Sequence, residues 1–266
     1  MNDSLFSQTD STIISLILFI ACIFMVRLGR FVRNKFFNKD KEESRGGVNS
    51  LLAALFGLWG FVLAFTFGNS SSRFDSVSNT MVDEFNTIRN VIYRSKLFPD
   101  SIGDSFRKDM KIYIGSRIDY YKYAGDNDKV GKTIEDTRRT AKSLWAKTEY
   151  VSTLPNMGIS AANMFASLTT MYDLAAKRDT MLLQGVPVPI FYLLFFLALV
   201  ISFIGGFTTP VIGTKEWVII SGFILLACII IFITLDLSRP MTGFIRPNVA
   251  EERIEQLPKL FLDSSE

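Results

Sequence analysis

The hydrophobic residues of this chain are concentrated in four long stretches that contain no charged side chain. These stretches cover residues 11–26, 48–67, 185–209 and 217–235. Because an α-helix rises about 1.5 Å per residue and the hydrocarbon core of a bilayer is about 30 Å thick, roughly 20 apolar residues cross a membrane. The last three stretches reach that length, and the arginines that follow the shorter first stretch can extend toward the headgroups. Four buried helices of a soluble protein are the alternative, but soluble cores rarely contain such uncharged runs.

The region that follows the second stretch is polar and shows helical periodicity. No Gly or Pro lies between Asn69 and Phe98. The second helix is therefore expected to leave the membrane unbroken and to end at Pro99, after about 50 residues and on the order of 75 Å. Its apolar side chains recur in steps of three and four, which mark one helix face, at Phe74, Val77, Met81, Phe85, Ile88, Val91 and Ile92.

Three further amphipathic patterns predict three more helices before the third stretch. Two of them are centred on residues 106–121 and 134–151. The apolar face of the last one is placed on Ile159, Ala162, Phe165, Ala166, Met171, Tyr172 and Ala175. We therefore predict an all-α polytopic membrane protein with four transmembrane helices and an extramembrane helical bundle between helices two and three. The expected division is 1–68 and 185–240 for the two transmembrane helix pairs, 69–184 for the extramembrane domain and 241–266 for a polar C-terminal tail.

Composition excludes most catalytic and metal chemistry. The 266 residues include no histidine, and both cysteines, Cys22 and Cys228, lie in predicted membrane helices. Histidine is the commonest general base and metal ligand, and a thiol in an apolar environment rarely ionises. The sequence also has no Gly-rich phosphate loop and no metal-ligand spacing. We expect no enzymatic activity, no metal, no cofactor and no nucleic-acid partner.

The distribution of charge predicts an orientation in the plasma membrane. The link at residues 27–45 carries seven basic and three acidic residues, and short basic loops stay in the cytoplasm. This places the N-terminus and residues 69–184 outside the cell. The arginines of the C-terminal tail argue for the opposite orientation, at Arg239, Arg246 and Arg253.

Helix two carries a stripe of small residues on one face. Small faces let transmembrane helices approach closely. The stripe either packs on another helix of the same subunit, or forms a subunit contact or pore wall around a symmetry axis. Phe61 and Phe65 of the same helix either face lipid or a core, or form a hydrophobic constriction that gates by dewetting. The stripe consists of Ala53, Gly57, Gly60, Ala64 and Gly68.

Polar residues that follow the stripe are candidates for a pore mouth, because rings of charge select ions by sign. A solvated face with local ion pairs is the alternative. Near the end of helix four, Asp236 is costly at the hydrocarbon edge unless it is paired, and Arg239 is its natural partner, three residues on and followed by the helix-ending Pro240. This group is either a structural clamp or an ion contact. The pore-mouth candidates are Asn69, Arg73, Asp83, Glu84, Asn86 and Arg89.

These residues resemble a known family. The run Leu51–Phe67 (LLAALFGLWGFVLAFTF) and the polar segment Arg73–Leu97 look like the second helix of a bestrophin-like family of four-helix membrane proteins. The segment Asp236–Gly243 (DLSRPMTG) is similar to the DxxRPxxG motif that closes helix four in that family. The likeness covers most of residues 45–250.

The resemblance implies a function by analogy. The family is named for a distant similarity to bestrophins, which are pentameric chloride channels with a pore lined by the second helix of each subunit. Two features depart from bestrophins. The tail has only scattered acids in place of the calcium clasp of animal bestrophins. Bestrophins also keep their middle region in the cytoplasm, whereas the basic first loop of this chain predicts that its middle region lies outside the cell.

The leading hypothesis is a homo-oligomeric, anion-conducting channel whose pore is lined by helix two and its polar extension. Its expected partners are the lipid bilayer, copies of the same chain (five by analogy) and small inorganic ions. The alternative is a membrane scaffold or sensor whose helical domain binds a partner.

Overall fold

A computed structural model describes residues 10–36, 45–123, 127–183, 186–209, 213–241, 243–247 and 256 of the chain. Within these ranges the chain is all-α and contains no strand, as the sequence predicted. The predicted tail beyond residue 247 lies almost entirely outside the described residues. The described helices are α1 (Ser11–Phe36), α2 (Arg45–Ser95), α3 (Asp100–Lys122), α4 (Asn127–Ser152), α5 (Gly158–Leu183), α6 (Val188–Thr208) and α7 (Thr214–Leu237).

One compact unit, called here the membrane unit, contains α1, α2 as far as Arg73, α6 and α7. α1 packs against both α6 and α7. Each of the four helices contains a stretch that is long and apolar enough to cross a membrane. Large apolar side chains such as Leu16 and Ile219 lie exposed on the surface of this unit. Such a surface is suited to lipid chains rather than water.

The spans of the membrane unit alternate in direction. Near the end of α1, Arg33 donates a hydrogen bond to the carbonyl oxygen of Thr208 in the last turn of α6, at 3.1 Å. The guanidinium of Arg27 lies 5.3 Å from the ring centroid of Trp217 in the first turn of α7. The end of α1, the end of α6 and the start of α7 therefore meet at one edge of the unit, as an up-and-down arrangement requires.

Two helices differ in length from the sequence-based expectation. α1 continues past residue 26 to Phe36, because the arginines and lysine that follow the apolar stretch are good helix formers. α2 is unbroken over 51 residues, but it ends at Ser95 rather than at Pro99. Its last turn closes with short-range bonds such as Phe98 N–H to Ser95 O at 3.2 Å, because the residue before a proline avoids helical geometry.

α1 and α6 cross in backbone contact at two glycines. A Cβ atom on Gly206 would lie 2.1 Å from the carbonyl oxygen of Val26, and one on Gly29 would lie 2.1 Å from that of Phe203. A real side chain cannot occupy that space, so only glycine permits this crossing. The neighbouring Gly205 is different, since its Cβ would meet nothing within 4 Å.

Gly206→Ala is expected to destabilise the membrane unit by about 1–3 kcal/mol, the usual range for overpacking. Gly205→Ala is the matched control and is expected to be neutral or slightly stabilising, because alanine favours the helix by up to about 1 kcal/mol. Thermal unfolding of both variants in detergent micelles measures the difference. Equal unfolding temperatures would show that the helices do not cross at Gly206.

The second compact unit, called here the extramembrane unit, contains α2 from Phe74 onward together with α3, α4 and α5. α3 packs on α4, and α4 packs on α5. The predicted apolar face of α2 is buried here, apart from Phe74, which is half-buried. The core also takes large side chains from the other three helices, among them Phe106, Met110, Tyr113, Leu144 and Leu168.

The buried face of α5 agrees with the predicted one at Met171 and Ala175, which are buried, but differs in the first half of the helix. Ile159 is 81% exposed, and Ala162 and Ala166 are exposed as well. Small alanines occur on several faces of this helix, so the periodic signal there is weak. In this first half the buried positions are Ala161, Met164 and Leu168.

Candidate pore surface

α2 has two different faces within the membrane unit. Trp59, Leu63 and Thr66 are buried, and the indole N–H of Trp59 donates a hydrogen bond to the carbonyl oxygen of Leu194 in α6, at 3.2 Å. The opposite face carries the small-residue stripe. Gly60 of the stripe is half-buried, and the exposed members are Ala53, Gly57, Ala64 and Gly68.

The glycines of this stripe have open space in front of them. A Cβ atom on Gly57, Gly60 or Gly68 would meet no heavy atom of the described chain within 4 Å. The two phenylalanines beside the stripe are exposed too, Phe61 at 70% and Phe65 at 58%. Within one subunit, the described chain therefore leaves this face uncovered. Its role as a pore wall or as a subunit contact stays a prediction.

Beyond Gly68 the exposed face of α2 becomes polar. Among the pore-mouth candidates, Asn69, Asp83 and Arg89 are exposed and Asn86 is half-buried. The guanidinium of Arg89 lies 6.0 Å from the ring centroid of Phe85, at the limit of a cation–π contact. Three further polar residues, Asp75, Asn79 and Asn90, are exposed on the same part of α2.

Arg73 and Glu84 do not share this exposed face. Glu84 is only 2% exposed, and Arg73 is half-buried. Both follow Trp59 in steps of three and four residues, which is the spacing of the buried side of a helix. Their polarity suggested a pore mouth, but their helical phase turns them toward the protein.

Arg73 belongs to a charged cluster at the end of α7. Its guanidinium donates a hydrogen bond to the carbonyl oxygen of Ser238, at 2.8 Å. Asp236 is 1% exposed, and its carbonyl oxygen accepts the backbone N–H of Arg239 at 2.9 Å. Burial lowers the pKa of Arg239, while the negative charges of Asp236 and Asp10 oppose that shift. The predicted group of Asp236, Arg239 and the buried Pro240 thus gains Arg73 and Asp10 as neighbours.

Asp236→Ala is expected to lower stability by about 3 kcal/mol or more, because removing one member of a buried charge group leaves its partners uncompensated. Asp83→Ala is the matched control, since Asp83 is exposed and such surface changes usually stay within about 0.5 kcal/mol. Chemical unfolding in detergent compares the two variants. Similar losses for both would remove the clamp interpretation of Asp236.

Glu84 forms the centre of a second charged cluster, inside the extramembrane unit. Its Oε1 accepts the Nε–H of Arg117 at 2.9 Å, and its Oε2 accepts Nη1–H of Arg178 at 2.6 Å. Both arginines also contact Asp179 Oδ1, through Nη2 of Arg117 at 3.2 Å and Nη2 of Arg178 at 3.1 Å. Two acids and two arginines from α2, α3 and α5 therefore form one charge-balanced group.

The surroundings of this cluster are aromatic and mostly buried. The guanidinium carbons of Arg117 and Arg178 lie 5.3 and 5.2 Å from the ring centroid of Tyr120. Burial raises the pKa of Asp179, and the charge and hydrogen bonds of Arg117 oppose that shift. Burial also raises the pKa of Tyr113, and the negative charge of Glu84 adds to it. The cluster joins three helices.

The sequence offered a signal for this cluster that residue-type reasoning did not use. Arg117 lies three residues after Ile114 on the apolar face of α3, and Arg178 follows Met171 and Ala175 at helical spacing on α5. A charged residue in a buried phase predicts a buried partner of opposite charge. Among the described residues, no group of three or more cysteines or carboxylates is arranged to hold a metal ion.

Comparison with known proteins identifies the family. A model of the Bestrophin-like domain matches residues 20–248. The chain belongs to the Bestrophin-like family. The match begins within α1 and covers α2 to α7 in full, which confirms the resemblance carried by helix two and by the close of helix four. Among curated proteins, none matches the sequence.

Solved structures share the Bestrophin-like fold. A single-residue variant of a bacterial bestrophin homologue from Klebsiella pneumoniae is 11% identical with a TM-score of 0.73, and 96% of this chain and 98% of that chain are covered. A second variant of that homologue is 12% identical with a TM-score of 0.70 and coverage of 95% and 99%. A zinc-phased structure of the homologue is 14% identical with a TM-score of 0.67 and coverage of 92% and 97%. At such low identity, the likeness establishes the fold of this membrane protein.

Proposed function

We propose that the protein is a homo-oligomeric ion channel of the plasma membrane, with a pore lined by the exposed face of α2 and its polar extension. The uncovered small-residue stripe is the observation that supports this most strongly. Gly57 and Gly68 lie on the outside of the single chain, and small faces in membranes favour close helix contact. Membership of the Bestrophin-like family also supports an ion channel, by analogy.

A pore of this kind would have two sections. Along the stripe the exposed face of α2 is apolar, with Phe61 and Phe65 among its largest side chains, which suits a constriction controlled by wetting. Along the extension the exposed side chains are amides and isolated charges, such as Asn79, Asp83 and Arg89. These groups would hold a hydrated ion.

The proposed preference for anions rests on the family analogy. The exposed charges named on the polar face are two acids, Asp75 and Asp83, and one arginine, Arg89. The net charge of these three side chains is negative, so it does not favour anions. The sign of the conducted ion must therefore be measured separately from conduction itself.

Purified protein in liposomes tests the proposal. We expect ion flux that depends on the protein, with a reversal potential that follows the chloride gradient. A reversal potential that follows the potassium gradient would overturn the anion preference but would still support an ion channel. A monomeric particle that passes no ion at any voltage would contradict the channel and favour a scaffold or sensor.

A further inference from the structure

The membrane unit contains an elongated apolar cavity that the proposed pore does not use. Its volume is about 280 Å³. All four spans line it, including Leu18 of α1, Trp59 of α2, Ile201 of α6 and residues of α7 from Ile219 to Ile231. Those 12 residue steps of α7 correspond to about 18 Å along the helix axis, so the cavity is long and narrow.

The lining of this cavity favours an apolar occupant. Its few polar side chains include Ser202 and Thr209, and the hydroxyl of Thr209 already donates to the carbonyl oxygen of Gly205 at 2.8 Å. Apolar cavities of about 150 Å³ stay free of water and bind apolar molecules. A cavity of this shape and polarity therefore matches a hydrocarbon chain better than water or an ion.

The cavity is accessible from the lipid-facing surface. Ile219 and Phe223 line it and are themselves 71% and 48% exposed. Phe56 of α2 also lines it, and its ring meets that of Phe223 edge-on at 5.5 Å. A chain from the surrounding bilayer can enter beside these two rings without crossing a polar layer.

The basic edge of the membrane unit lies at the same end as Thr209. Arg33 donates hydrogen bonds to the carbonyl oxygens at the end of α6, including Thr208 at 3.1 Å, and Arg27 stacks over Trp217 at the start of α7. Guanidinium groups bind phosphate well, and basic residues at a membrane surface attract anionic lipid.

We propose that this cavity binds one acyl chain of an anionic phospholipid, whose phosphate lies beside Arg27 and Arg33. The lipid would fill the space among the four spans and connect α1 to the α6–α7 edge. This site is separate from the exposed face of α2, and it is independent of whether the protein conducts ions.

Native mass spectrometry of the purified protein tests the binding. The probes are palmitoyl-oleoyl phosphatidylglycerol and the neutral phosphatidylcholine with the same chains. We expect one retained phosphatidylglycerol per subunit and weaker retention of phosphatidylcholine. Ala227→Phe places a ring in the cavity and should abolish retention. Its matched control is Leu226→Phe, because Leu226 is 57% exposed and does not line the cavity. Arg27→Gln should reduce the preference for phosphatidylglycerol roughly fivefold, as expected for one basic residue.

Equal lipid retention by Ala227→Phe and Leu226→Phe would overturn the site. Equal retention of phosphatidylglycerol and phosphatidylcholine would overturn the role of Arg27 and Arg33. Loss of the retained lipid whenever the protein forms an oligomer would assign the cavity to a second copy and overturn the proposal.

Discussion

Arg178→Ala is expected to cost the extramembrane unit about 3–5 kcal/mol, the loss typical of removing one partner from a buried ion pair. Arg178 is 0% exposed, and its guanidinium contacts both Glu84 and Asp179. Without it, Glu84 remains buried with one arginine, and a cavity opens beside Tyr120. Domains are stable by only about 5–15 kcal/mol, so the variant should unfold at a much lower denaturant concentration.

Arg139→Ala is the matched control for this prediction. Arg139 also pairs with an aspartate, Asp136, at 2.8 Å, but its side chain is 76% exposed. Exposed pairs contribute about 0–1 kcal/mol, so this variant should unfold close to the wild type. Circular dichroism during urea titration measures both. If the two variants lost the same stability, the Glu84 cluster would not hold the three helices together.

Gly57→Leu is expected to disrupt assembly and reduce ion flux by roughly tenfold or more. A bulky side chain at a close helix contact costs about 1–3 kcal/mol, and every 1.4 kcal/mol is about a tenfold change in association. Because a Cβ atom on Gly57 would meet no side chain or neighbouring helix of the described chain within 4 Å, the subunit itself should still fold. Size-exclusion chromatography and liposome flux measure assembly and function on one sample.

Gly222→Leu provides the comparison for this substitution. Gly222 is also an exposed membrane glycine with nothing within 4 Å of its Cβ position, but it lies on α7. A leucine there would face lipid, so assembly and flux should match the wild type. If Gly57→Leu behaved like Gly222→Leu, the small-residue stripe would face lipid as well.

The membrane class and the long second helix could be predicted because their signals are local. A charge-free run of 20 residues has few other solutions, and the repeated spacing from Phe74 to Ile92 fixes one buried face whatever that face contacts. The first half of the buried face of α5 could not be predicted in the same way. Alanine fits a core or a surface almost equally well, so Ala162 and Ala166 carried little information.

The contacts between distant helices were beyond the reach of a single sequence. The backbone crossing at Gly29 and Gly206 depends on the angle between α1 and α6, and a glycine near a helix end is equally typical of a terminus. The Glu84 cluster could be predicted in part. The helical phase of Glu84, Arg117 and Arg178 predicts burial, but the pairing of the three requires the packing of α2, α3 and α5.

A single-particle image of the detergent-purified protein, viewed along its symmetry axis, tests the central claim most directly. We predict a closed ring of identical subunits, with α2 innermost and its small-residue stripe packed where neighbouring copies of α2 meet around the axis. A lone subunit, or a ring in which another helix lines the centre and α2 lies at the lipid boundary, would contradict the account.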